Sequence, residues 1–225
     1  GGLNAMIVDS TALPEQAVKA ILESAFQSAG QRCSALRCLY VQEDIAPHFT
    51  EMLMGAMAAL RPADPWHLPS DLGPVIDAEA RTGILDHIAR ARAEGRLLKT
   101  LDLPDEGHFV APTLIRLPGI AALEREIFGP VLHLCTFPAR DLDAVIDAIN
   151  ARGYGLTFGL QTRIDDRVQH VTERVHAGNI YVNRNQIGAI VGSQPFGGEG
   201  LSGTGPKAGG PNYLPRFAAP DHQEA

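Results

Sequence analysis

Gly30-Gln31-Arg32-Cys33-Ser34-Ala35-Leu36-Arg37-Cys38-Leu39-Tyr40-Val41 is the stretch around which the chain is organised. A helical pattern runs into it. Val18, Ile21, Leu22, Ala25 and Ala29 recur at helical spacing after Pro14, which suits a first helical turn, and Gly30 is the expected stop. An apolar, strand-like run over 36–42 leaves it. Cys33 is therefore placed in a tight connection, where a side chain is more reachable than in mid-strand. A thiolate there, with Arg32 beside it, is a candidate nucleophile, and a small buried hydrophobe is the competing reading.

Working outward, the same alternation repeats. Residues 4–9 read as a short buried strand and 46–60 as a helix with Phe49, Met52, Leu53, Met57 and Leu60 on one side. A proline-rich connection over 61–76 follows, then a helix over 77–95. Residues 108–116 are extended and 131–137 (Val-Leu-His-Leu-Cys-Thr-Phe) form an apolar strand, with Cys135 in the core. Asp141 is positioned to cap a helix that carries Leu142, Val145, Ile146 and Ile149. A strand over 157–162, a helix over 164–176 and a strand over 179–183 complete the pattern. Strands alternating with helices imply an α/β domain whose sheet is mainly parallel and covered on both faces.

The composition then shifts. Nine glycines fall between Gly188 and Gly210, so the loop over 185–211 brings bare backbone close to something. Gly198-x-Gly200-x-x-Gly203 fits the dinucleotide-binding string. No strand leads directly into it, and Pro206, Gly209, Gly210 and Pro211 forbid the helix that must follow.

Bulk properties exclude several classes. The net charge of −7 over 225 residues argues against a nucleic-acid surface and against an anionic membrane. No apolar run reaches the ~18 residues of a spanning helix. Three cysteines without disulfide spacing point to a reducing, cytoplasmic setting. Eight histidines show no metal-ligand spacing, so no metal site is expected.

Seven motifs in order then fit one family. They are Gly1-Gly2-x-Asn4; Gly30-Gln31-x-Cys33; Glu126-Ile127-Phe128-Gly129-Pro130; Tyr154-Gly155-Leu156-Thr157; Gly178-Asn179-x-Tyr181-x-Asn183-Arg184; Pro195-Phe196-Gly197-Gly198; and Ser202-Gly203-Thr204. The chain resembles the catalytic domain of the aldehyde dehydrogenases. Cys33-Ser34-Ala35, Gly188-Ala189 and the run from Val191 to Gly198 resemble the glutamate-γ-semialdehyde (1-pyrroline-5-carboxylate) dehydrogenase branch. Lys207-Ala208-Gly209-Gly210-Pro211-Asn212-Tyr213-Leu214 is similar to its bifunctional proline-utilisation members.

The resemblance implies roles. Cys33 would be the nucleophile that forms a thioester, and its backbone N–H an oxyanion donor. Glu126 would hold the nicotinamide ribose of NAD, with Phe128 at the nicotinamide end. Ser34 and the N–H groups of Gly188 and Ala189 would hold the substrate's α-carboxylate, and Phe196 would pack on its aliphatic stem. The substrate would be glutamate semialdehyde, with proline or glutamate as analogues. A proline dehydrogenase domain would precede this one in the parent. The domain would span residues 1–217, with 218–225 a polar tail. The family's general-base glutamate and its cofactor domain would lie ahead of Gly1, so residues 1–225 alone are expected to bind NAD poorly and turn over negligibly. Dehydrogenases for other aldehydes, a cysteine hydrolase and a non-catalytic assembly module remain alternatives.

Overall fold

The computed structural model describes residues 1–103 and 107–218. The expected polar tail falls, from residue 219 on, outside the described residues. A seven-stranded sheet runs through the molecule in the order β3-β4-β5-β2-β1-β7-β8. Its strands are β1 (Ala5–Val8), β2 (Cys38–Gln42), β3 (Leu97–Thr100), β4 (Thr113–Arg116), β5 (Val131–Phe137), β7 (Thr157–Gln161) and β8 (Asn179–Val182). Every neighbouring pair is parallel except β3–β4, an antiparallel edge. The mixed α/β class with a mainly parallel sheet is as the sequence pattern requires.

Side-chain alternation divides the core into two layers. Met6 and Val8 of β1, Leu39 and Val41 of β2, and Leu132 and Leu134 of β5 face α1 (Pro14–Phe26) and α2 (Ala46–Ala58), packing on Ile21, Phe26, Phe49 and Leu53. Ala5 and Ile7, Cys38 and Tyr40, and Val131 and Cys135 face the other way. There they meet α3 (Ala78–Ala93), α4 (Leu142–Asn150) and α5 (Asp165–Arg174) through Ile84, Ile88, Ile146, Ile149 and Val171. Central strands buried on both faces must be apolar throughout, which is why β1 and β2 show no polar alternation. In the second layer the Cys38 and Cys135 sulfurs lie 3.7 Å apart, both fully buried as free thiols.

Several details differ from expectation. Helix α1 stops at Phe26, four residues before Gly30, because Ser28, Ala29 and Gly30 all adopt left-handed φ (55°, 53° and 66°) and turn the chain. Asp141 precedes α4 but its side chain makes no capping bond. The sequence reading also passed over β3 and a two-stranded ribbon, β6 (Tyr154–Gly155) with β9 (Glu199–Gly200). Among the described residues no helix is long and apolar enough to cross a membrane, and no cluster of His, Cys, Asp and Glu is suited to a metal ion.

Candidate active site

In open α/β sheets ligands usually bind beyond the carboxyl ends of the strands. Here the part of that rim beyond β1 and β7 is closed by hydrogen bonds. Asp9, just past β1, is buried and accepts from the Thr11 N–H and Oγ1 (2.6 Å each), from Thr162 Oγ1 beyond β7, and from Arg167 Nη1 of α5 (2.9 Å). Burial alone would raise its pKa, but these hydrogen bonds together hold the carboxyl below the usual range. The sequence motifs gather on the opposite rim, at the amino ends. Asn4 precedes β1, Cys33 to Arg37 precede β2, Glu126 to Pro130 precede β5, and Thr157 and Asn179 begin β7 and β8.

The loop bearing Cys33 is held there by its carbonyls. Asn4 Nδ2 donates to the Cys33 carbonyl at 2.7 Å and to that of Ala35 at 2.9 Å. Thr157 Oγ1 and Gln186 Nε2 donate to the Ser34 carbonyl at 3.1 and 3.3 Å. Arg37 Nη2 donates to Arg32 O at 3.1 Å, and Nη1 to Gly30 O at 2.7 Å. With the carbonyls so engaged, the N–H groups of Cys33 and Ser34 have no acceptor among the described residues. They remain available to a ligand, as oxyanion stabilisation requires. Cys33 itself is exposed. Two consecutive non-glycine residues in the left-handed region, Ser28 and Ala29, lead into this loop, a conformation that persists only where surroundings enforce it.

Cys33 lines a cavity of about 460 Å3 together with Phe196 and the glycine-dense ribbon from Gly197 to Pro206. The sulfur and the ribbon are thus brought together. Ser34 is buried beside Cys33 and is not part of that lining; nor are Gly188 and Ala189, which stand on the loop after β8. There Gly188 O accepts from Tyr181 OH at 2.8 Å, while the N–H groups of Gly188 and Ala189 have no acceptor among the described residues.

Glu126 and Phe128 line a neighbouring cavity of about 430 Å3 with Asp77 and Arg125. The Glu126 side chain is 19% exposed. Its Oε2 accepts from the Gly2 N–H at 3.0 Å, and its Oε1 from Arg37 Nε and Nη2 at 3.2 and 3.0 Å. Phe128 is exposed on its outer side and packs 5.0 Å from the Arg37 guanidinium carbon. A carboxylate that keeps a small exposed edge, next to an exposed ring, suits a ribose diol bearing an aromatic base, as at the nicotinamide end of NAD. Two larger grooves, of about 670 and 770 Å3, lie elsewhere and touch none of these residues; the first is a mostly apolar trough between α1 and α2.

Sequence reading missed Arg37, taking it as one more residue of an apolar strand. It is completely buried. The signal was there: a guanidinium within an apolar run must find paired acceptors. It also missed the support behind that residue. The Arg37 carbonyl accepts from His133 N at 3.0 Å and lies 2.8 Å from His133 Nδ1. A carbonyl only accepts, so Nδ1 carries the proton and Nε2 is an acceptor. His87 Nε2–H therefore donates across the 2.8 Å contact between the two rings. Both rings are neutral. Burial lowers His133 to about 3; burial and then the nearby Arg90, Arg96 and Arg125 lower His87 to about 4.

Comparison with known proteins identifies the family. Residues 1–221 match the aldehyde dehydrogenase family. The chain is 57% identical over 227 residues to the bifunctional protein PutA of Salmonella typhimurium, covering 97% of this chain and 17% of that protein. It is 38% identical over 217 residues to a 1-pyrroline-5-carboxylate dehydrogenase of Bacillus cereus, covering 95% and 42%. A crystal structure of bifunctional proline utilization A superposes with a TM-score of 0.95 at 54% identity, over 97% of this chain and 22% of that one. The 1-pyrroline-5-carboxylate dehydrogenase from Thermus with bound NAD gives 0.89 at 36% identity, over 96% and 42%. The chain spans less than a fifth of the Salmonella PutA protein and under half of the shorter dehydrogenases.

Proposed function

The chain belongs to the aldehyde dehydrogenase family, and from that premise we propose that it is the catalytic portion of an NAD-dependent dehydrogenase that oxidises glutamate γ-semialdehyde to glutamate in proline catabolism. The observation that carries this reading is an exposed Cys33 facing a glycine-dense ribbon, on a loop whose carbonyls are engaged by side chains and whose Cys33 and Ser34 N–H groups have no acceptor among the described residues. The named relatives favour the glutamate semialdehyde branch, and among them the bifunctional proteins favour a parent that also carries a proline dehydrogenase domain. Unpaired cysteines fit a cytoplasmic setting.

The chemistry then divides simply. NAD+, when bound, supplies the hydride acceptor. The Cys33 sulfur adds to the aldehyde carbon, and its own N–H holds the oxygen that gains charge. The same N–H polarises the thioester carbonyl for attack by water. Glu126 and Phe128 hold the nicotinamide end. Phe196, which shares the cavity with Cys33, packs on the substrate's aliphatic stem. Ser34 and the free N–H groups of Gly188 and Ala189 grip the α-carboxylate. No Asp, Glu or His lines the Cys33 cavity among the described residues.

The test is NADH formation by the full-length protein supplied with 1-pyrroline-5-carboxylate. Cys33→Ala abolishes turnover. Ala189→Pro, which deletes one carboxylate donor, weakens use of this substrate far more than use of propanal. Turnover surviving in Cys33→Ala overturns the nucleophile, and equal losses for both aldehydes overturn the anchor.

A further inference from the structure

Arg37 belongs to no recognised motif in the sequence, yet its side chain reaches more of the site than any other. Its guanidinium bonds the nucleophile loop at Gly30 O and Arg32 O. It bonds the facing segment at Gly129 O (3.3 Å) and through the Glu126 carboxylate, and it packs on the Phe128 ring. The two segments are some ninety residues apart in sequence, and this one side chain fastens them together. We propose that Arg37 is a positioning residue that locks the ribose-holding carboxylate of Glu126 and the Cys33 loop into one unit.

Three observations carry this. First, the side chain is wholly buried while Glu126 is 19% exposed, so the cation, not the anion, is the fixed member of the pair. A buried guanidinium persists only with paired acceptors, and five contacts meet that need. Second, burial depresses the Arg37 pKa and the Glu126 carboxylate acts the other way, so the cation depends on that one counter-charge across the gap between the two segments. Third, the Arg37 backbone is itself anchored, since its carbonyl takes both bonds from His133. The side chain departs from a fixed point.

The proposal deepens the dehydrogenase reading, so its test avoids aldehyde altogether. In the full-length protein, Arg37→Met, Arg37→Lys, Glu126→Gln and the double variant Arg37→Met/Glu126→Gln are compared by the dissociation constant for NAD+ and by amide hydrogen exchange over residues 30–36. Arg37→Met weakens NAD+ binding by about tenfold, because Glu126 loses its clamp, and speeds exchange in the Cys33 loop. Arg37→Lys keeps the charge without the fork and recovers little of the NAD+ affinity. In the Glu126→Gln background Arg37→Met causes no further loss of NAD+ affinity, since the clamp acts through that carboxylate. A full additional loss there, or unchanged affinity in a folded Arg37→Met, overturns the proposal. If Arg37→Met fails to fold, Arg37→Lys takes its place in the same comparison. Failure of wild-type protein to bind NAD+ counts against the dehydrogenase reading, and the exchange comparison then judges Arg37 separately.

Discussion

Asn4 shows how much a single side chain can decide. It is buried, donates to two carbonyls of the nucleophile loop, and accepts from the Thr157 N–H at 3.3 Å. One amide thereby joins the start of β1 to the loop before β2 and to the start of β7. Asn4→Ala orphans three buried backbone groups and is expected to cost about 3 kcal/mol, since each unsatisfied group loses its desolvation energy as well as its bond. Asn4→Asp is the sharper test. It keeps the shape but turns a carboxylate oxygen toward two carbonyl oxygens, so it should destabilise more than Ala. Urea unfolding of the two variants reads both values, and an Asp variant as stable as Ala would contradict the assigned geometry. Asn4 was visible in the sequence as part of a motif, but nothing in its neighbours foretold its partners. Those come from chain segments about thirty and one hundred and fifty residues away, and no local pattern encodes them. Arg37 was legible in a way that went unused, as a charge stranded among Leu36, Cys38 and Leu39.

At the scale of elements, the central strands announced themselves because burial on both faces demands apolar residues throughout. The expected strands over 4–9 and 131–137 match β1 and β5 to within a residue. β3 escaped because a four-residue, half-buried edge strand (Leu97-Leu98-Lys99-Thr100) carries no such demand. The end of α1 was misread for a related reason. Gly30 looked like a helix stop, whereas its actual work lies in the close approach to the next segment. Its φ is +66°, and a β-carbon there would overlap the Gly129 carbonyl oxygen. Gly30→Ala therefore combines left-handed strain with a backbone collision that no side chain can relieve. It should cost more than about 3 kcal/mol, and it should disorder the loop bearing Cys33. A crystal or hydrogen-exchange measurement that finds the loop undisturbed would refute this.

For the whole molecule, pH-dependent stability follows from groups on both sheet rims. His87 and His133 are neutral in the folded protein, pressed to about 4 and about 3, largely by burial. In the unfolded chain they titrate near ~6.5. As pH drops below that value the unfolded state takes up protons that the folded state refuses, and unfolding becomes easier down to about pH 4. Asp9 acts only at lower pH. Its folded value is depressed, so its contribution is intact above ~3.9 and vanishes as pH falls through the folded value. Stability should therefore begin to decline near pH 6.5, well before any carboxylate is protonated. His87→Gln can still donate to His133 but does not titrate, so it should flatten the slope of unfolding free energy between pH 6.5 and 4. An unchanged slope would assign the decline to other groups.

The buried sulfur pair has a practical corollary. Cys38 and Cys135 are shut inside the layer between the sheet and α3 to α5, whereas Cys33 opens to solvent. Within this stretch of polypeptide the native fold thus acts as its own protecting group. A maleimide dye or a spin label can be attached at the reactive sulfur without first engineering the other two thiols away, and the reporter would sit at the point where substrate is expected to arrive.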